Sequence, residues 1–318
     1  MEYIKISVIK RLGRKPTAYA FKGWVWSVCR FVLLFGLSFI IIYPFLAKIS
    51  SMFMSIDDLR DPIVWFVPRS PTADNILNVI KYGNFWTSLR NTSTISLLCA
   101  LLQTAAATLT AYGLARFKFR GRSILLVLAI LTIVIPPQTI YVSLFTKFRY
   151  FDLFGILRML DLPTLSMVES ISPMIILSVT ALGLKNGLYI IILTQLFRNL
   201  PKELTEAAYV DGAGMFKTFF SVNMPQIRPM MVSVFMLAFA WQWTDTFYNG
   251  LFFRRTPVLL NVITSVKTIN DIGSYNGNTL SATMVNTAVM MILFPLIPLY
   301  IVGQRFLIQG VERSGMVG

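Results

Sequence analysis

The length of its apolar runs constrains this chain more than any other feature. "RFVLLFGLSFIIIYPFLA" (Arg30–Ala47) carries one charge in eighteen residues. A bilayer span needs about 20 predominantly apolar residues. Six stretches qualify, at roughly 27–47, 91–115, 124–145, 173–198, 230–253 and 285–304. In hydrocarbon every backbone polar group must be satisfied within the segment, so runs of this length are helices. The expectation is an all-α membrane protein with six transmembrane helices. Composition agrees: 14% of residues are charged, where about 25% is usual for a soluble chain, and mean hydropathy is +0.66.

The same composition removes several functions. There is no histidine, which excludes His-based acid–base chemistry, Ser-His triads and His metal sites. No metal site is expected. Cys29 and Cys99 lie at or inside apolar runs and read as packing residues. No Gly-x4-Gly-Lys-Ser/Thr sequence occurs, so the chain has no P-loop for ATP. Carboxylates are few and scattered, which argues against a hydrolase dyad. The net charge of +15 could suggest nucleic acid, but in a membrane chain basic residues hold loops on the cytoplasmic side. No nucleic-acid partner is expected; membrane lipid is.

Lys and Arg also set the orientation. With the N-terminus inside, the inner segments 1–30, 116–123, 198–229 and 305–318 hold 17 basic residues, and the longer outer segments hold 11. The short loop "RFKFRGR" has Arg116, Lys118, Arg120 and Arg122 in seven residues, a strong cytoplasmic marker. The reading is a basic N-terminal segment (1–26) and a transmembrane domain (27–318) in the plasma or inner membrane. Both termini and the loop 198–229 are then cytoplasmic.

That loop is too elaborate to be a mere connection. "NLPKELTEAAYV" offers Pro201 at a helix start and Glu203 in the first turn. Leu204, Ala207 and Ala208 recur at helical spacing. "DGAG" breaks the helix: Gly212 and Gly214 can take angles other residues avoid, and Asp211 can cap the second helix. "MFKTFFSVNM" is expected to put Phe216, Phe219 and Phe220 on one face, with Pro225 as its stop. The result is two short helices at an angle, with Glu206 exposed. An amphipathic hairpin lying on lipid is the alternative, but such helices are usually rich in Lys and Arg, and only Lys217 lies between the two helical cores.

Here the residues resemble a known family. Glu206, Ala207, Ala208, Asp211, Gly212, Ala213, Phe219, Pro225 and Pro229 are in register with the EAA motif of permease subunits of ATP-binding-cassette importers. "NTSTISLLCALLQTAAATLTAYGLARFKFRGR", "FAWQWTDTFYNGLF" and "VPRSPTADNILNVI" resemble carbohydrate permeases of the maltose-system type, specifically the second, shorter partner. The C-terminal ending departs from the pattern: Val317 stands where a Lys is usual. The resemblance implies the type I importer permease fold, with the loop docking as a coupling helix in a separate ATPase. It implies a heterodimer with a second permease, two ATPase subunits and an extracellular solute-binding protein. ATP and Mg would be bound by the partner ATPase, leaving this chain a non-enzymatic transport subunit for a sugar or oligosaccharide. A polyol, glycerol phosphate or peptide is the alternative solute. An ion-coupled secondary transporter would need paired intramembrane acids and usually inverted repeats, which are not found.

Within the spans, Lys185 stands out. It lies about 20 Å from the cytoplasmic boundary at 1.5 Å per helical residue, a depth at which a charge faces a cavity or a partner. Asn186 and Tyr189 share its wheel face. These three either line a solute path or Lys185 pairs structurally with Asp245. Trp243, Asp245 and Tyr248 line the path or anchor the outer end. Pro136 and Pro137 are expected to kink the third span, with Gln138 facing the path. In the last outer loop, Tyr275, Asn276 and Asn278 either form a tip that reaches into the binding protein, as the resemblance implies, or an ordinary turn.

Overall fold

The computed structural model describes residues 18–152, 155–271 and 277–315. The chain is 76% helical with no strand among the described residues, so the all-α expectation holds. It forms two compact units, residues 1–73 and 74–318.

The first unit holds α1 (Ala18–Ser51) and the one-turn α2 (Ile56–Arg60). Lys22–Ser51 has a mean hydropathy of 2.3, the profile of a membrane-spanning helix. The segment after it is irregular but tied. Ser55 caps α2 by accepting from Asp58 N (3.2 Å), Asp58 Oδ2 accepts from Ser70 N (3.0 Å), and Arg69 pairs with Asp61 at 2.8 Å.

In the second unit, α3 (Asp74–Tyr82) leads into α4 (Phe85–Arg116), the central element. After it come α5 (Arg122–Val134), a 3₁₀ turn (Pro137–Ile140), α6 (Tyr141–Arg149), α7 (Ile156–Met159), α8 (Ser172–Val179) and α9 (Asn186–Asn199). The loop contributes α10 (Lys202–Val210) and α11 (Met215–Thr218), then a π turn (Phe219–Asn223). The chain closes with α12 (Met224–Trp243), α13 (Phe247–Phe252), α14 (Leu259–Asp271), α15 (Gly277–Leu293) and α16 (Leu296–Gly315). α8, α9 and α12 pack on α4. They can approach because α4 presents Ala100, Ala107 and Ala111, each fully buried. Small residues at membrane-helix contacts let backbones come close. α9 meets α5 closer still: a Cβ on Gly187 would stand 2.2 Å from Ala129 O.

Among the described residues, three helices are long and apolar enough to span: Lys22–Ser51, Phe85–Arg116 and Ser281–Ile308. The third run becomes a fourth span only if the bent pair Arg122–Val134 and Pro137–Arg149 is counted as one, with 97° between its halves. The expected proline kink is therefore present. The fourth and fifth runs are each divided, so six unbroken spans are not what the chain forms. α8 ends at Thr180 with Ala181 left-handed (φ 60°), Ala181 N donating to Ser178 O (3.3 Å) and Leu182 N to Leu177 O (2.9 Å). This is a Schellman ending in which an alanine takes the place usual for glycine, so hydropathy alone does not reveal it. The fifth run breaks at Thr244–Thr246 because Asp245 starts a new helix there.

Candidate functional site

The loop between α9 and α12 is built from its ends inward. Pro201 is the cap residue of α10, one position before the first helical residue. The helix ends in a Schellman motif: Gly212 takes φ +77°, its N–H donates to Tyr209 O (3.0 Å), and Ala213 N donates to Ala208 O (2.9 Å). Asp211 is the C-cap residue of α10 and does not cap α11, whose N-cap is Gly214 with no side-chain bond. Its side chain, like that of Glu206, is exposed and has no partner among the described residues.

The phenylalanines do not share a face. Phe219 is 4% exposed, with its ring 4.6 Å from Tyr112 and 6.4 Å from Phe197, while Phe216 and Phe220 are exposed. Phe219 packs onto α4 and α9, and a π turn begins at it, with Met224 N bonding back to Phe219 O. Pro225 does not stop the helix; the helical backbone runs on from the π turn through Pro225 into α12. Asn223, overlooked in the sequence, locks the turn: it is buried, its Oδ1 accepts from Thr205 Oγ1 (3.3 Å), and its Nδ2 donates to Thr218 O (3.4 Å). On α10, Ala208 faces the protein whereas Leu204 and Ala207 are exposed. The loop thus offers an outward surface of Glu206, Tyr209, Val210, Asp211 and Phe216, held rigidly from behind by Ala208, Phe219 and Asn223. Such a mixed apolar and acidic surface, rigidly backed, is the form of a protein interface.

The residues singled out in the spans separate. Lys185 is the left-handed N-cap of α9 (φ 60°), with Nζ 5.1 Å from the centre of the Trp241 ring. It makes no ion pair with Asp245. The Asp245 carboxylate is consumed by α13, accepting from Phe247 N (3.2 Å) and Asn249 N (2.9 Å), so the structural pairing of Lys185 with Asp245 is overturned. Asn186 and Tyr189 are buried; both amide atoms of Asn186 and the Tyr189 hydroxyl lack a hydrogen-bond partner among the described residues. Trp243 is committed to packing, its Nε1 donating to Ile292 O (3.0 Å) on α15. Tyr248 packs in an aromatic cluster, edge-on to Phe247 and stacked on Phe252. Gln138 is exposed at the elbow between α5 and α6. Tyr275 and Asn276 lie outside the described residues; Asn278 falls in the first turn of α15, and its side chain also lies outside them.

Two features were missed. Gln103, Ser178 and Gln242 are each 1% exposed and join α4, α8 and α12 through long hydrogen bonds (3.4 Å) around a void of about 10 Å³. Their signal, amides inside apolar runs, was available. The other is Glu169, which clasps the segment after α13. Its carboxylate accepts from Arg254 N (2.9 Å), Arg255 N (3.0 Å), Thr256 N (3.0 Å) and Thr256 Oγ1 (3.0 Å). Partial burial pushes its pKa up, but the bonds from Thr256, Arg255 and Arg254 together outweigh that and hold it below the usual carboxylate value.

Residues 103–307, from the buried amide on α4 to the middle of α16, match the family described as "binding-protein-dependent transport system inner membrane component". The chain belongs to this family. The match contains both the loop and the broken helices, and makes the chain a multi-pass inner-membrane transport subunit. It is 26% identical over 282 residues to a putative ABC transporter permease protein, ORF2, of Caldicellulosiruptor sp., covering 86% of this chain and 91% of that one. It is 25% identical over 285 residues to the arabinooligosaccharides transport system permease protein AraQ of Halalkalibacterium halodurans, covering 89% and 93%. The fold is similar, with a TM-score of 0.67 and 19% identity, to a chain in the crystal structure of a bacterial ABC transporter involved in import of the acidic polysaccharide alginate, covering 89% of this chain and 97% of that one.

Proposed function

We propose that this permease is one of two related membrane subunits of an ATP-driven, binding-protein-dependent importer, and that its solute is a sugar or oligosaccharide. The observation that carries the coupling role is the 200–223 loop. It exposes Val210 at 87% and Phe216 at 72% beside two unpartnered acids, on a frame that buries Phe219 and Asn223. A loop built only to connect would not hold apolar side chains outward on a rigid support. Two copies of a separate ATPase, carrying ATP and Mg, bind this loop and that of the second permease. Glu206 meets a basic residue of the ATPase. The basic loops put this surface and both termini in the cytoplasm.

In this reading closure of the ATPase dimer moves the loops, and through Phe219 and Asn223 the movement reaches α4, α9 and α12. The divided spans give the bundle its bending points. On this reading Lys185, Asn186 and Tyr189, at the α8–α9 break, contribute to the path, with Gln138 at the neighbouring elbow. The saccharide named for the relative AraQ supports sugar as the solute class, as does Trp241 beside Lys185: a half-exposed aromatic face next to a cation suits a hydroxylated ring. The test is co-purification of an ATPase with wild-type permease and with Glu206→Ala. Loss of the ATPase from the variant, with membrane insertion intact, is expected. Full retention with normal transport would refute the interface.

A further inference from the structure

A groove of about 670 Å³ opens between α4 and α12, within the about 300–1,000 Å³ of small-molecule sites. It is lined by Leu101, Ala105 and Leu109 on one side and Met231, Val232 and Phe235 on the other. Phe219 and Phe220 of the π turn also line it, with Pro225 and Arg228 of the first turns of α12.

Its polarity is arranged at one place. Thr104 and Thr108 also line the groove, but their hydroxyls are spent on their own helix, donating to Ala100 O (2.7 Å) and Thr104 O (2.7 Å). Arg228 is exposed and makes no hydrogen bond or ion pair among the described residues. The groove is therefore a hydrocarbon slot with one free cation among the described residues. Along the helices it runs about 12 Å from Leu109 to Leu101 and about 10 Å from Arg228 to Phe235, at 1.5 Å per residue. Arg228 stands just before the fifth apolar run, at the depth of lipid headgroups.

We infer that this groove binds an anionic phospholipid, with Arg228 holding the phosphate and an acyl chain lying between α4 and α12. The occupant's chemistry is set by the lining: Arg228 is the one lining side chain among the described residues with a donor to spare, and a cation near the bilayer surface attracts anionic lipid. Because Phe219 and Phe220 form the end of the slot, the bound chain packs against the π turn that supports the loop. An anionic lipid therefore stabilises the loop's outward geometry. The site does not depend on which solute is carried.

Native mass spectrometry of the assembled transporter, extracted in mild detergent and supplied with phosphatidylglycerol or phosphatidylcholine, tests this. Wild type is expected to retain phosphatidylglycerol over phosphatidylcholine by about fivefold, the factor matching the roughly 1 kcal/mol that one basic side chain gains beside anionic lipid. Arg228→Gln should lose the preference. Ala105→Trp, which fills the slot and keeps the charge, should lose the lipid itself. In nanodiscs, wild-type ATP hydrolysis should rise when phosphatidylglycerol replaces phosphatidylcholine, and the Arg228→Gln complex should not respond. Equal retention of both lipids by wild type, or an unchanged preference in Arg228→Gln, overturns the site. So does cross-linking of a cysteine at Leu109 to the second permease, which would make the groove a subunit interface.

Discussion

Gly212 permits the sharpest test of how the loop is built. Its φ of +77° lies in the left-handed region, yet a Cβ there would meet nothing within 4 Å. Gly212→Ala therefore carries only the conformational penalty of an L-residue at positive φ, about 1–2 kcal/mol. Gly212→Pro meets three obstacles at once. Its ring fixes φ near −65°, it lacks the N–H that bonds Tyr209 O, and it disfavours the near-helical angles of Asp211 (φ −72°, ψ 4°). Together these cost about 3 kcal/mol or more. At about 1.4 kcal/mol per tenfold, the alanine shifts the local equilibrium roughly five- to thirtyfold and the proline more than a hundredfold. Hydrogen exchange of the 202–218 amides in the assembled complex, alongside ATP-driven transport, reads both. The alanine should slow transport modestly. The proline should abolish it and deprotect the loop, with α4 and α9 unchanged. Equal damage from both would mean that a side chain, not the backbone angle, is what the site rejects. Normal transport by the proline variant would refute the reasoning outright.

Phe219→Ala should cost about 3 kcal/mol or more by thermal unfolding, because the ring is buried against Tyr112, while Phe216→Ala should leave stability within about 0.5 kcal/mol and reduce ATPase co-purification instead. Lys185→Met should slow transport without destabilising the complex, since Asp245 does not rely on it; loss of acidic oligosaccharides with neutral ones spared would mark Lys185 as selecting for uronates, and unchanged rates for both would remove it from the path. Glu169 has a pKa held below the usual carboxylate range, so its contribution is complete above that range and lost as pH falls through the depressed value. Thermal melts should show a weaker acid-side decline for Glu169→Gln than for wild type, and identical pH profiles would contradict the clasp.

The all-α membrane architecture was legible because bilayer length acts over long windows. The loop's two-helix form was legible because Gly212 and Pro201 each impose a local backbone rule. What escaped the sequence was set by tertiary contact. The left-handed Ala181 that ends α8 has no propensity signature, and Gly183 nearby was the more visible breaker. The π turn at Phe219–Asn223 arises from backbone hydrogen bonding, to which a helical wheel of 3.6 residues per turn is blind, and the burial of Phe219 against Tyr112 and Phe197 while Phe216 stays exposed is set by what packs there. Asp245 looked like a partner for Lys185 because both are charged and deep; only the geometry of α13 reveals that its oxygens are already used by Phe247 and Asn249.

The central claim is that energy enters this permease through its loop from a separate ATPase. Proteoliposomes holding the full complex, with its binding protein outside and ATP inside, test it directly. The account requires oligosaccharide uptake that depends on both ATP and the binding protein and that Gly212→Pro abolishes. Uptake driven by a proton or sodium gradient without ATP would contradict it.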